Sequence, residues 1–266
     1  MYEVNYHRAT SVEEAAALFA KAGDAKFVAG GQTLIPTMKQ HLAAPSDLVD
    51  LRHITALKGI TVSGGQVTIG AGTTHAEVAG SAQLRSACAA ICDLAGHIGD
   101  PAVRHMGTLG GSIANNDPAA DYPAAMVALN AAIRTNKRTL AAEDFFTGLF
   151  ETALEADEII VSVSFQAPAK CAYAKFPNPA SRYAMAGVFV ARGTDGSVRV
   201  GVTGAGSSGV FRHSGMERAL AANWSTGALD NVSVDENMML SDIHGDAAYR
   251  ANLVKVMAKR AVAAAG

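Results

Sequence analysis

Gly107-Thr108-Leu109-Gly110-Gly111-Ser112-Ile113-Ala114-Asn115-Asn116-Asp117-Pro118-Ala119-Ala120-Asp121 sets glycines and hydroxyls ahead of a run of amide and carboxyl groups. Closely spaced glycines let backbone N–H groups converge on an anion without steric cost. The Asn and Asp groups that follow suit a diphosphate with a polyhydroxylated chain attached. Residues 107 to 112 read as a glycine-rich loop, and a helix opens at Asp121 with Pro123 just inside it. Two readings stand on these residues alone: a loop that grips such a ligand, or a surface loop in which Asp121 serves only as the helix N-cap.

A shorter stretch upstream repeats the pattern: Phe27-Val28-Ala29-Gly30-Gly31-Gln32-Thr33-Leu34. A strand over Lys26 to Ala29 runs into two glycines, and a short helix follows near Leu34 to Met38. A helix N-terminus adds roughly 0.3–1 kcal/mol of favourable field for a nearby anion. Taken alone, Gly-Gly after a strand is a turn.

Around these two stretches, Ser11 with Glu14 and Thr74 with Glu77 read as capping boxes. Strands are predicted at Leu48 to Leu51, Val67 to Gly70, Ile159 to Phe165, Val188 to Ala191 and Val198 to Thr203. Leu84 to Gly96 and Ala247 to Ala264 are helical in period. Strands and helices alternate without a regular βαβ beat, which favours an α+β fold. Pro168 to Lys170 is the candidate boundary between a larger N-terminal part and a smaller C-terminal one. Gly204-Ala205-Gly206-Ser207-Ser208-Gly209 matches G-x-G-x-x-G, but the next helix begins only near Ser214, where Ser214 and Glu217 suggest another capping box. A dinucleotide loop runs directly into its helix, so this match reads as a turn.

Composition narrows the classes further. The chain has 266 residues, 49% hydrophobic and 17% charged, which excludes disorder and allows a sizeable core. A formal net charge of -2 leaves no basic footprint for nucleic acid. No apolar run approaches the ~20 residues that cross a bilayer, and the N-terminus has no signal-peptide core. The expected location is the cytoplasm, or the inner face of the membrane where a complex holds it there. Cys88, Cys92 and Cys171 form no C-x-x-C pair. Cys88 and Cys92 are four apart on one face of a predicted helix and read as buried free thiols. A [2Fe–2S] cluster takes four ligands, so this chain is not expected to hold one. The eight histidines show no metal-binding spacing. His97 and His105 flank the second glycine stretch, and His75 near a helix start reads as local. There is no nucleophile elbow and no P-loop.

AGGQTLIP at 29–36, TIGAGTTHAEV at 68–78, GDPAVRHMGTLGGSIANNDPAADYPAAMVALNA at 99–131 and NPASRYAMAGVFVA at 178–191 resemble the FAD-binding subunits of the xanthine oxidase family. The resemblance runs over essentially the whole chain, in the family order, and is nearest to the separate medium subunit of the carbon monoxide dehydrogenase group. It implies a FAD-binding fold of the xanthine oxidase/vanillyl-alcohol oxidase type over residues 1–167, in two α+β subdomains (1–55 and 56–167). A small α+β C-terminal domain over 168–266 follows. The implied flavin diphosphate lies between the two glycine stretches, held by Ala29, Gly30, Gly31, Gln32, Thr33 and Leu34 and by Thr108, Gly110, Gly111, Ser112 and Asn115. Asp121 matches an aspartate that hydrogen-bonds the ribityl chain, and Ile160 an apolar neighbour of the isoalloxazine ring. Lys175 matches a lysine at the polar edge of the ring, and Tyr183 a tyrosine over one of its faces. Leu109 and Ser112 stand where many relatives carry Ile and Asn.

The resemblance implies a relay. A large subunit with a molybdenum cofactor oxidises the substrate, a small subunit with [2Fe–2S] clusters conducts the electrons, and this chain carries the FAD that passes them on. A dimer of heterotrimers is the implied assembly. Two other classes compete: a free-standing FAD-dependent oxidoreductase, and a scaffold that kept the fold without the flavin. Flavin absorbance separates the scaffold from the others, and co-purification with large and small subunits separates the relay from the free-standing enzyme.

Overall fold

The structure, a computed structural model, describes residues 1–266. The Ser11 side chain accepts from the Glu14 N–H and starts α1 (Val12–Lys21). This helix lies between strands β1 (Asn5–Arg8) and β2 (Ala25–Val28), and a short α2 (Leu34–Lys39) leads to β3 (Asp47–Asp50). The three strands are parallel, in the order β1-β3-β2. This is a βαβ beat, so the opening unit is locally α/β within a chain that is α+β as a whole. Ala15 of α1 and Val49 of β3 share a buried cluster with Ile159 and Val161, which fixes the first unit onto the second.

The second unit begins with β4 (Ile60–Ser63) and β5 (Gln66–Gly70). Then come α3 (His75–Gly80), α4 (Ala82–Gly96), α5 (Pro101–Met106), α6 (Leu109–Asn115) and α7 (Tyr122–Ala128). It closes with β6 (Ala132–Thr135), β7 (Thr139–Ala141), a single-turn α8 (Ala142–Phe145), the small hairpin of β8 (Phe146–Gly148) and β9 (Glu151–Thr152), and β10 (Ile160–Gln166). β10 takes the centre of an antiparallel sheet ordered β4-β5-β10-β6-β7. Alternate residues Val163 and Phe165 of β10, with Val67 and Ile69 of β5, turn to the core under α4, α6 and α7. Thr74 and Glu77 form both halves of the predicted capping box at α3.

Three local expectations are corrected here. Residues 107 to 112 are not all loop: Thr108 caps α6, and both Gly110 and Gly111 sit in its first turn. Gly110 is dictated by packing, because a Cβ there would lie 2.5 Å from the Ala71 Cβ. The helix over 84–96 is kinked at Cys88 (φ -157°, ψ 80°), so Cys88 and Cys92 are not neighbours on one helical face. Asp121 precedes α7 without any side-chain cap, because its carboxylate is engaged elsewhere.

The last sheet is antiparallel, β11 (Lys170–Pro177), β12 (Ala184–Arg192), β13 (Val198–Thr203) and β14 (Phe211–Arg212) in sequence order. Two helices, α9 (Ser214–Ala222) and α10 (Ala247–Ala265), cover it. β12 is buried on both sides. Val188 and Val190 pack with the helices, whereas Phe189 and Ala191 join the core of the second unit. Such two-sided burial explains a nearly continuous apolar run. β11 was not expected from the sequence, and its role at the site is described below. Of the candidate boundary, Pro168 and Ala169 fall between β10 and β11, and Lys170 opens β11. Gly204 (φ +80°) and Gly209 (φ +96°) make the predicted turn, which returns the chain to β14. The following helix is capped by His213 rather than by Ser214. No helix is long and apolar enough to cross a membrane.

Candidate functional site

A cleft of about 930 Å³ opens where the three sheets meet, and every residue singled out above as a candidate for flavin contact lines it. Its floor is a close approach of the two glycine stretches. A Cβ on Gly30 would lie 2.2 Å from the Met106 carbonyl oxygen and 2.7 Å from the Gly107 Cα, so only glycine lets the backbones touch.

The two stretches offer different chemistry. In the first, the backbone N–H groups of residues 29 to 34 find no acceptor within the chain, and Thr33 places no side chain over the start of α2. Six consecutive free donors beside a cleft are suited to an anion. In the second, the N–H groups are already used except that of Thr108, which finds no acceptor within the chain. Leu109 donates to the Thr73 carbonyl (3.0 Å), Gly110 to that of Ala71 (2.8 Å), Ser112 to that of Thr108 (3.0 Å) and Gly111 to Thr108 Oγ1 (3.1 Å). The second stretch therefore offers a single free backbone donor, at Thr108, where the first offers six. α6 knits itself to the β5–α3 connection and contributes Ser112, Asn115 and the bare face of Gly111 to the lining of the cleft. Gly31 is fixed by its backbone conformation. Its φ is +70° and a Cβ would meet Ile35 Cγ1 at 2.9 Å, so a side chain there is excluded by backbone strain and α2, not by the cleft.

Asp121 and Lys175 form an ion pair of 3.0 Å with side chains only 5% and 6% exposed. Tyr173 Oη donates to the other carboxylate oxygen at 2.5 Å, and Lys175 also reaches the His97 carbonyl at 3.4 Å. Burial raises the Asp121 pKa against the opposing pull of Lys175 and Tyr173, and burial likewise raises that of Tyr173. Lys175 thus meets Asp121 directly, and the aspartate, although at the N-cap position of α7, caps no N–H with its side chain. Ile160 opens β10 as a buried apolar wall. Tyr183, in the β11–β12 connection, is 51% exposed at the rim. Burial, with Asp117 and Asp121 nearby, raises its phenol pKa.

Sequence reasoning missed His75. It is the first residue of α3, 4% exposed, lines the cleft, and its Nδ1 has no partner. A Cβ on Gly107 would lie 2.6 Å from its Nε2. The capping box around it was legible, but nothing local marks the histidine as facing a cavity. Burial, and secondarily Arg104, lowers its pKa from 6.5 to about 4. A histidine depressed in the folded state contributes stability that is full above its unfolded pKa and is lost as pH falls through 6.5 towards 4. His75→Gln is expected to remove about 2 kcal/mol of the stability difference between pH 7 and pH 4.5, read by urea melts at both. An unchanged difference in the variant would show that His75 is not held neutral. Of the flanking histidines, His105 lines the cleft with Nδ1 at 2.7 Å from the Pro101 carbonyl, and His97 contributes only its carbonyl.

Residues 2–168 match the family described as the FAD binding domain in molybdopterin dehydrogenase. The carbon monoxide dehydrogenase medium chain of Afipia carboxidovorans is 36% identical over 97% of this chain and 95% of its own length. The nicotine 6-hydroxylase medium subunit of Paenarthrobacter nicotinovorans is 34% identical over 99% and 97%. Among solved structures, a chain of the Cu,Mo-CO dehydrogenase in its cyanide-inactivated form superposes with a TM-score of 0.91, at 36% identity over 98% of this chain and 97% of that one. These matches span the glycine stretches, the sheet that carries Lys175 and the closing helices alike. The chain belongs to the FAD-binding family of the molybdopterin dehydrogenases, in the group of medium chains similar to those of carbon monoxide dehydrogenase; it is an oxidoreductase chain and its cofactor is FAD.

Proposed function

We propose that this chain is the electron-transfer subunit of a molybdenum hydroxylase complex, receiving electrons from the [2Fe–2S] clusters of a small subunit and delivering them to an external acceptor. A large subunit carrying the molybdenum cofactor oxidises the substrate in this reading. The observation that carries it is the row of free N–H groups over 29–34 in a cleft that Ser112 and Asn115 also line. That combination fits a diphosphate joined to a hydroxylated chain. Residues 29–34 would hold the diphosphate, Ser112 and Asn115 its far side, and Asp121 the ribityl hydroxyls. Ile160, Lys175 and Tyr183 would border the ring. Bound FAD supplies one-electron acceptance and two-electron release, and that chemistry is the cofactor's own. The chain binds, orients and shields. Apolar Ile160 and Ile159 help to keep water from the cleft, and the Lys175 ammonium is held at its lining against Asp121.

The domain assignment follows the sheets: residues 1–167 hold the flavin, as subdomains 1–55 and 56–167, and 168–266 form a C-terminal domain that contributes β11 to the cleft. Relatives named for carbon monoxide and for nicotine are nearly equal in identity to this chain, at 36% and 34%. That near-equality supports reading substrate choice as a property of the large subunit and not of this chain. The partners are that subunit and the iron–sulfur subunit, as a dimer of heterotrimers in the cytoplasm or at the inner face of the membrane.

The test is an absorption spectrum of the purified chain with identification of the released cofactor, followed by FAD titration with and without the large and small subunits. Equimolar FAD and stable co-purification of all three subunits are expected. Failure to take up FAD even in the presence of both partners would overturn the cofactor site. Uptake without association would overturn the subunit role and favour a free-standing enzyme.

A further inference from the structure

Cys88 and Cys171 are 83 positions apart in sequence, yet their Sγ atoms lie 3.5 Å apart. Cys88 is the residue at which α4 departs from helical geometry, and Cys171 is the second residue of β11. Cys92 takes no part, because its thiol points to the Ser81 carbonyl at 3.9 Å. We infer that Cys88 and Cys171 are a dithiol that closes to a disulfide with hydrogen peroxide as oxidant, joining the flavin-binding half covalently to the C-terminal sheet.

The two thiols are unequal in a way that suits this chemistry. Cys88 is 2% exposed, whereas Cys171 is half-buried and so can be reached. The two thiols share a hydrogen bond, which lowers the Cys171 pKa below the usual thiol value and, with burial, raises that of Cys88. The thiolate is the nucleophile. The Cys171 sulfur attacks one peroxide oxygen. An S–O bond forms, the O–O bond breaks, and the leaving hydroxide departs as water with the proton from Cys171. The Cys88 sulfur then attacks the sulfenic sulfur of Cys171. The S–S bond forms, the S–O bond breaks, and the proton of Cys88 leaves with the second oxygen as another water. Two thiols and one peroxide become one disulfide and two waters, with two electrons passing from sulfur to oxygen.

The position matters because strand alternation puts Cys171, Tyr173 and Lys175 on one face of β11. Tyr173 and Lys175 hold Asp121, so a covalent bond at Cys171 pins the strand that forms one wall of the cleft.

The experiment uses the reduced full chain, treated with hydrogen peroxide, alkylated, and measured intact and after non-reducing proteolysis. The expected product has lost two hydrogens, keeps one alkylatable thiol at Cys92, and yields a peptide pair linking Cys88 to Cys171. Its Tm rises by roughly 5–10 °C, as expected for closing a long loop, and falls back with dithiothreitol. Cys92→Ser should behave like the parent chain, and Cys171→Ser should show neither the mass loss nor the shift. Two or three oxygens added at Cys171 without a crosslink, or a disulfide through Cys92, would overturn the inference. None of these readouts needs flavin, so the outcome is independent of the proposed function.

Discussion

Gly111→Val is expected to give a folded chain with at least tenfold weaker FAD binding, whereas Gly30→Val is expected to lose fold and flavin together. A Cβ on Gly111 would meet only Thr108 Oγ1, at 3.0 Å, and the side chain would extend into the cleft. The helix tolerates valine, and the largest local penalty is disturbance of the Thr108 cap, about 1 kcal/mol. At Gly30 the collision is with backbone, the Met106 carbonyl at 2.2 Å, and no rotamer relieves it. The β2–α2 connection would have to part from the α5–α6 junction. Overpacking without relief costs at least 1–3 kcal/mol. Circular dichroism and urea melts read the fold, and quenching of FAD fluorescence reads the affinity. Full flavin affinity in Gly111→Val would remove the cofactor from that face of α6. A native melt for Gly30→Val would mean that the two glycine stretches do not touch.

The contrast between these glycines marks what a sequence reader can and cannot see. Adjacent glycines at 30–31 and 110–111 announce close approach, but not to what. Gly30 serves backbone contact, Gly31 a positive φ, Gly110 contact with Ala71, and Gly111 an open face on the cleft. The helix over 109–115 was hidden for the same reason. Two glycines cost roughly 1 kcal/mol each in helical propensity, and only the packing of α6 on Ala71 and Thr73 overrides that. β11 was hidden by chemistry rather than by glycine. Lys175 and Tyr173 look like solvent-facing residues of a loop, because their buried partner Asp121 lies more than fifty positions away. Local signals fared better. The Thr74–Glu77 box, the last helix and the turn at Gly204 depend on neighbours within a few residues, and each is found as read.

Asp121 is where fold and site share one group, and separating the two roles needs a double replacement. Asp121→Ala should destabilise the chain by about 3–5 kcal/mol, because it strands a buried ammonium at Lys175 with only a carbonyl as partner. Lys175→Met alone should cost less, since burial already raises the Asp121 pKa and protonation can neutralise it. Combining Asp121→Asn with Lys175→Met removes both charges, keeps a group that can accept from Tyr173, and should recover most of the lost stability. FAD affinity discriminates next. If Asp121 holds the ribityl chain as proposed, the stable double variant still binds FAD at least tenfold more weakly than the parent chain. If the double variant binds FAD as tightly as the parent, the ion pair only anchors β11 to α7, and the ribityl contact belongs to another group in the cleft. A double variant as unstable as Asp121→Ala would instead mean that the charges themselves, and not their mutual neutralisation, hold that wall in place.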